Sequence, residues 1–382
     1  MKKFSFKSSI IVIVVLFLFQ EVKAQSTVNV VTTAVPFLRI SPDARSGGMG
    51  DAAIATAPDA NSSFWNLAKT PFTKSNSALA ATYTPWLKDL GLNDVYLASM
   101  AGYYKLDNDQ ALSASLRYFS LGNIQFTDFA GNLLNAYNPH EYSFDVGYSR
   151  KLSDKLSIGV ALRYINSALA NGTVNGVSYK AGHAIAGDIS LYQNNTDKSG
   201  EGLSWGITLT NLGSKIGYTN DAANKDYIPA NLGLGIAYTK VLDESNKITF
   251  ALDANKLLVP ITPVSQDNGG PIDSANLASY RSSSIMSSWF KSFGDGSNQI
   301  KDLQFSIGAE YSYEDQFMFR AGYYYEDVSR GNRKYFSAGV GFKYDVYGIN
   351  LSYLVPSGNG ITRNPLSNTL RLGVVFDLSN GQ

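Results

Sequence analysis

Leu156, Ile158, Val160, Leu162 and Tyr164 alternate with Ser157, Gly159, Ala161 and Arg163. An extended chain places the two sets on opposite faces, so this stretch predicts a strand with one greasy side and one small or polar side. The C-terminal stretch repeats the rhythm, with Leu370, Leu372, Val374, Phe376 and Leu378 set against Thr369, Arg371, Gly373, Val375 and Asp377. It returns over residues 303–313, 317–325, 336–344 and 347–353, and less cleanly over 112–118, 144–148, 185–191, 203–209, 232–238 and 248–252. With 77–83 and 95–103, the pattern predicts about fourteen antiparallel strands, near the roughly nine to eleven residues that a tilted membrane strand needs.

A soluble sandwich would alternate as well, so the connections decide. Short carboxylate-bearing turns (KLDND, KLSD, QNNTDKSGE, LDESN, YEDQ and KYDVYG) fall at every second connection, and longer segments fall between them. Short turns on one rim and long loops on the other characterise an outer-membrane barrel, with the long side extracellular. An even strand count places both termini in the periplasm. Tyr83, Tyr118, Tyr164, Tyr238, Tyr344, Tyr347 and Tyr353 near strand ends supply interfacial girdles, and outer-membrane lipid is the expected surrounding.

The N-terminus supports export. Lys2, Lys3 and Lys7 precede an apolar run from Ile10 to Phe19, and a small residue, Ala24, closes the pattern of a signal peptide over residues 1–24. That run is shorter than the ~20 residues a spanning helix needs. A formal charge of +1 leaves no basic field for nucleic acid. The absence of cysteine excludes disulfides, thiolate catalysis and a lipidated N-terminal Cys. His140 and His183 are the only histidines. They stand at loop-to-strand junctions without a nucleophile motif or matching carboxylates, so the reading is of a non-enzymatic protein with no cofactor and no metal.

The faces opposite the apolar ones are crowded with small residues, among them Gly206, Gly233, Gly235, Gly339 and Gly341. Glycine in a strand marks close approach by another backbone, which predicts a filled lumen. Residues 25–75 lack sustained alternation and precede the first strand, as a plug would. Its Arg39, Asp43, Arg45, Asp51 and Asp59 are candidate partners for the inward charges Arg117, Arg163, Asp188, Glu310, Arg320, Lys343 and Arg371. Pairing across strands is the equal alternative. Gly48, Gly50 and Ala53 match a dinucleotide loop in spacing, but the strand and βαβ context that loop requires is missing.

The run ARSGGMGDAAIATAPDANSSFWNLAKT resembles the N-terminal hatch of the FadL-like outer-membrane transporters, ARxxGMGxA followed by DDAxAxxxNPAG. The fuller AVPFLRISPDARSGGMGDAAIATAPDANSSFWN is similar to the PorV branch, the FadL-like barrel of the Bacteroidetes type IX secretion system. Leu67 replaces the usual proline after Asn66, and DLSNGQ replaces the usual terminal aromatic. The resemblance implies a hatch over residues 25–75 and a barrel over 76–382. In the hatch, Gly47, Gly48 and Gly50 would shape the turn, Arg45 and Asp51 would tie it to the wall, and Trp65 and Asn66 belong to the motif. It also implies protein transport at the cell surface. The partners would be a large secretion channel of the SprA/Sov type, cargo proteins carrying C-terminal type IX signal domains, and the PorU sortase. The alternative is a FadL-type channel for hydrophobic small molecules.

The connection at residues 256–301 far exceeds the usual loop length, which points to function. Within it, Ile285, Met286, Trp289, Phe290 and Phe293 recur at helical spacing on one face. Such a face on the extracellular rim would serve as a docking surface for protein partners or pack down as a lid over the mouth.

Overall fold

The computed structural model describes residues 32–88, 91–127, 130–174, 177–221, 225–263, 274–295, 299–356 and 369–378. The expected signal peptide lies outside the described residues. Fourteen antiparallel strands close into one barrel. They are β1 Ser77–Pro85, β2 Val95–Lys105, β3 Gln110–Leu121, β4 His140–Lys151, β5 Leu156–Ala168, β6 Gly182–Asn194 and β7 Gly202–Gly213. The second half runs β8 Asn231–Val241, β9 Asn246–Leu257, β10 Leu303–Tyr313, β11 Phe317–Glu326, β12 Lys334–Tyr344, β13 Tyr347–Pro356 and β14 Leu370–Asp377. Each strand pairs with the next in sequence, and β14 returns to β1 through Ala78↔Asp377 to Tyr83↔Leu372. Closure leaves no exposed sheet edge, which a sheet in hydrocarbon requires.

Burial alternates with the sequence, inverted relative to a soluble protein. Leu79, Leu162, Ile185, Phe250, Phe319 and Phe336 stand out from the barrel and are exposed, while Ser157, Arg163, Ser190, Asp253, Ser306 and Arg371 point inward and are buried. Among the described residues no second sheet packs on the outer face, which suits a face that meets hydrocarbon. The connections divide as the turn chemistry predicts, with hairpins after β2, β4, β6, β8, β10 and β12 on one rim and the long segments on the other. Three of the long segments carry small two-stranded ribbons, Ile124–Thr127 with Leu133–Tyr137, Gly172–Val174 with Val177–Tyr179, and Ile216–Gly217 with Lys225–Asp226. These ribbons are too short to show a period and went unseen in the sequence.

On the outer wall, tyrosines and histidines form rows of ring contacts from strand to strand, tilted between tyrosines and stacked where each row ends in a histidine. Tyr83, Tyr96 and Tyr118 lead to His140, and Tyr142 and Tyr164 lead to His183, with ring centroids 5.4–6.2 Å apart. Both histidines therefore belong to an aromatic band. The largest apolar cluster lies under the long loops, where Val35, Phe37 and Leu38 pack with Val95, Leu97, Phe119, Ile165 and Ile228.

Candidate functional site in the lumen

The N-terminal segment is built of short capped turns. A 3-10 turn at Pro36–Arg39 leads to α1, Ala44–Gly47, whose N-cap Asp43 accepts from Ser46 N at 2.8 Å and from Trp65 Nε1 at 2.5 Å. One carboxylate thus ties the start of α1 to the end of α2, Ser62–Trp65. Asn66 caps the following 3-10 turn, Leu67–Phe72, by accepting from Ala68 N at 3.1 Å. The departure at Leu67 therefore leaves the turn intact, because the Asn66 side chain supplies the cap.

The glycine turn is shaped by the wall. Gly50 and Asp51 both have φ of 65°, and a Cβ on Gly50 would stand 2.6 Å from Tyr323 N. Gly48 meets Gly339 across the gap, where a Cβ would lie 3.1 Å from the opposing Cα. Gly47 lies under Arg371, whose Nη1 would be 2.9 Å from a Cβ there.

Hydrogen bonds join this segment to strands on every side of the ring. Ser99 of β2 bonds to Pro42 O, Arg117 of β3 donates to Leu38 O, and Ser157 of β5 bonds to Ala68 O. Asn66 Nδ2 donates to Leu191 O of β6 at 3.0 Å, and Ala53 N and Ile54 N both donate to Asp253 Oδ2 of β9, at 2.6 and 2.9 Å. Gly50 N donates to Ser337 Oγ of β12 at 2.8 Å. Only a segment inside the ring reaches all of these inward faces.

Some of the charges follow the two expected patterns, while Arg117 and Arg371 form no ion pair among the described residues and Asp43 bonds within its own segment. Arg45 donates to Glu310 from Nε and Nη2, at 3.1 and 2.9 Å, and from Nη1 to Asp59 at 2.9 Å. Arg320 reaches the same Glu310 at 2.6 Å. Arg39 pairs with Glu326 at 3.0 Å, a wall residue that sequence reasoning missed. Asp51 meets the wall through a neutral donor, Tyr335 OH, at 2.6 Å. Arg163, by contrast, pairs across strands with Asp145 and Asp188. Lys343 also follows the cross-strand alternative: it lies near the short-turn rim and pairs with Asp377 of β14, not with the N-terminal segment. Asp253 was also missed, although its inward position follows from the period of β9.

Gly47, Gly48, Gly50, Arg45, Asp51, Trp65 and Asn66 are thus brought together. The five loop residues are placed differently from expectation. Helix α3 spans Ser274–Ser282, and α4 spans Ile285–Lys291, capped by Ser284. Met286 (66%), Phe290 (74%) and Phe293 (47%) are exposed, whereas Ile285 and Trp289 are half-buried. The single apolar face splits because the loop is anchored. Lys215 Nζ donates to Arg281 O and Ser283 O, at 2.5 and 2.7 Å, and Asp302 bridges Lys256 and Arg330, at 3.3 and 2.7 Å.

A family model for the type IX secretion system protein PorV matches residues 22–265, more than half of the chain. The chain belongs to the PorV family. It is therefore a component of type IX secretion, and with the closed barrel this places it in the outer membrane. Among solved structures, the CymD monoaromatic hydrocarbon channel aligns over 90% of this chain and 98% of its own, with a TM-score of 0.51 at 12% identity. The Ralstonia pickettii toluene transporter TbuX aligns over 87% and 96%, with a TM-score of 0.46 at 12% identity. A Pseudomonas aeruginosa FadL homologue aligns over 89% and 99%, with a TM-score of 0.47 at 10% identity. At this identity the likeness to CymD is one of fold. No curated protein matches the chain.

One group inside this PorV-family barrel gives a pH signature. Lys69 is buried and donates to Ala53 O at 2.7 Å and to Thr56 Oγ1 at 3.4 Å. Burial pushes its pKa down from 10.5 to about 8, with nearby Asp59 opposing part of the shift. Between those values the unfolded chain holds the proton and the folded chain does not, so stability rises with pH there and is lost as pH falls through about 8. Lys69→Met is expected to flatten this part of the profile of urea midpoint against pH. An undiminished slope in the variant would remove Lys69 as its source.

Proposed function

We propose that the protein is a docking component, not a solute pore. It binds exported proteins through their C-terminal signal domains and passes them from the large secretion channel to the surface attachment complex with its PorU sortase. In this reading the long loops face the outside, both termini face the periplasm, the N-terminal segment acts as a plug, and no catalysis is involved. The observation that carries it is the contrast between the two ends of the path. The lumen is occupied by a segment bonded right round the wall, while Met286, Phe290 and Phe293 project from the long-loop rim. Large apolar side chains exposed together mark a protein contact surface.

The alternative, uptake of hydrophobic molecules, calls for an apolar path past the plug. The space left in the lumen mixes apolar side chains, among them Leu38, Ile54 and Phe64, with Arg39, Arg117 and Arg333, so guanidinium groups interrupt the apolar path that such a solute needs. A Met286→Asp/Phe290→Asp double variant is expected to fold normally and to lower surface-attached cargo at least fivefold. Photocrosslinking from position 289 should yield adducts with cargo or channel. Full secretion from the double variant together with purely intramolecular crosslinks would reduce the loop to a lid, and secretion surviving deletion of the whole protein would favour the uptake reading.

A further inference from the structure

Between the N-terminal segment and the long loops the lumen keeps an open chamber of about 120 Å³. Four charged side chains line it: Arg39, Asp51, Arg117 and Arg333. Arg39 and Arg333 share a single carboxylate, Glu326, with contacts of 3.0 Å from Arg39 and 2.7 and 3.0 Å from Arg333. This corner therefore carries one positive charge in excess. Arg117 uses its terminal nitrogens on the carbonyls of Leu38 and Phe64, and Asp51 faces the Tyr335 hydroxyl.

Beside that corner stand two carboxamides, Asn255 of β9 and Gln304 of β10, which are direct cross-strand partners and both line the chamber. The wall engages each by its oxygen. Asn255 Oδ1 accepts from Asn231 Nδ2 at 2.9 Å, and Gln304 Oε1 accepts from Tyr324 OH at 3.1 Å. Tyr324 in turn accepts from Arg333 at 3.0 Å, which orients its proton toward Gln304. Both amide NH2 groups are thereby turned away from the wall bonds. Neither has an acceptor among the described residues, and neither is among the occluded polar atoms, so both open on the chamber.

Two adjacent NH2 donors beside an excess guanidinium match the acceptor geometry of a carboxylate, which takes several hydrogen bonds and gains most from charged donors. We propose that this wall of the chamber is a binding site for a small monocarboxylate. Size limits the class, since a cavity of roughly 150 Å³ holds benzene, and Asp51 disfavours a second negative charge. Acids from acetate to lactate fit these limits. The inference stands apart from the secretion role.

The test uses the full-length barrel in nanodiscs, with acetate as probe and acetamide as its neutral isostere, followed by saturation-transfer NMR. Acetate is expected to bind at least tenfold more tightly than acetamide. An Asn255→Leu/Gln304→Leu variant, close in shape, is expected to weaken acetate at least tenfold while its gel mobility still shifts on heating, as a folded barrel's does. Equal binding of acetate and acetamide, or unchanged acetate binding by the folded variant, would overturn the proposal. Should the variant fail to fold, the acetate-to-acetamide ratio on the unmodified protein decides alone, and a ratio near one overturns it.

Discussion

Gly322→Val is expected to unseat the glycine turn and to turn a closed barrel into a leaky one. Gly322 and Gly308 face each other across β10 and β11. Together they form a slot in the wall that receives the backbone of Met49 and Gly50. A Cβ on Gly308 would lie 2.5 Å from Met49 O and 2.7 Å from Met49 Cβ, and one on Gly322 would fall within the Met49–Gly50 peptide itself. Backbone on both sides leaves no flexible side chain to give way. Overpacking in a core ordinarily costs about 1–3 kcal/mol, and here the turn can avoid the clash by withdrawing. Withdrawal also strains the Gly50–Ser337 bond and the two bonds to Asp253. In planar bilayers the unmodified protein is expected to stay closed, and Gly322→Val to show frequent ion-conducting openings with cleavage by added protease within residues 44–72. Gly187→Ala is the control, since the nearest atom to its Cβ would be Ala161 O at 3.5 Å. A silent, protease-resistant Gly322→Val barrel would show that the wall and the turn are not in register as described.

The barrel itself was legible because lipid outside and a packed lumen inside impose opposite demands on alternate residues. Leu162 and Arg163 are neighbours in sequence, yet one is 65% and the other 3% exposed, and a period of two records that difference directly. The rim assignment was legible for an equally local reason, since tight hairpins need Asp, Asn and Gly at fixed places. What joins the segment to the wall was less so. The glycines announced that something approaches Gly206, Gly235 and Gly339, but the identity of each contact, with Asn66, Ile54 and Gly48 in turn, depends on pairings far apart in the chain, as with Ala53 and Asp253. Inward charges could not be divided between partners by sequence either. Arg163 and Glu310 look alike in the pattern, but Arg163 finds Asp145 and Asp188 on its neighbouring strands, while Glu310 has Arg320 beside it and Arg45 in front. The loop helix was foreseen in position and not in orientation, because its anchors, Lys215 and Tyr227, lie on a different long connection.

Glu310→Ala is the second large effect to expect, and its size follows from counting charges. One carboxylate serves two guanidinium groups, Arg45 of the N-terminal segment and Arg320 of the wall, and all three side chains are largely or fully buried. Burial alone would lower the pKa of Arg45, but Glu310 and Asp59 outweigh it and hold the group firmly charged. Removing Glu310 leaves Arg320 with a neutral acceptor, Asn350 at 2.8 Å, and leaves Arg45 with Asp59. Breaking a buried pair from one side costs about 3–5 kcal/mol, because an uncompensated charge remains behind. Arg45→Met is expected to cost less, since Arg320 and Glu310 still neutralise each other. The order of urea midpoints in liposomes should therefore be unmodified protein, then Arg45→Met, then Glu310→Ala. The gap between the two variants should persist when salt is raised to 1 M, because buried charges are little screened. If Glu310→Ala were no less stable than Arg45→Met, or if salt erased the gap, the carboxylate would be solvated and could not be a main tie between the segment and the wall.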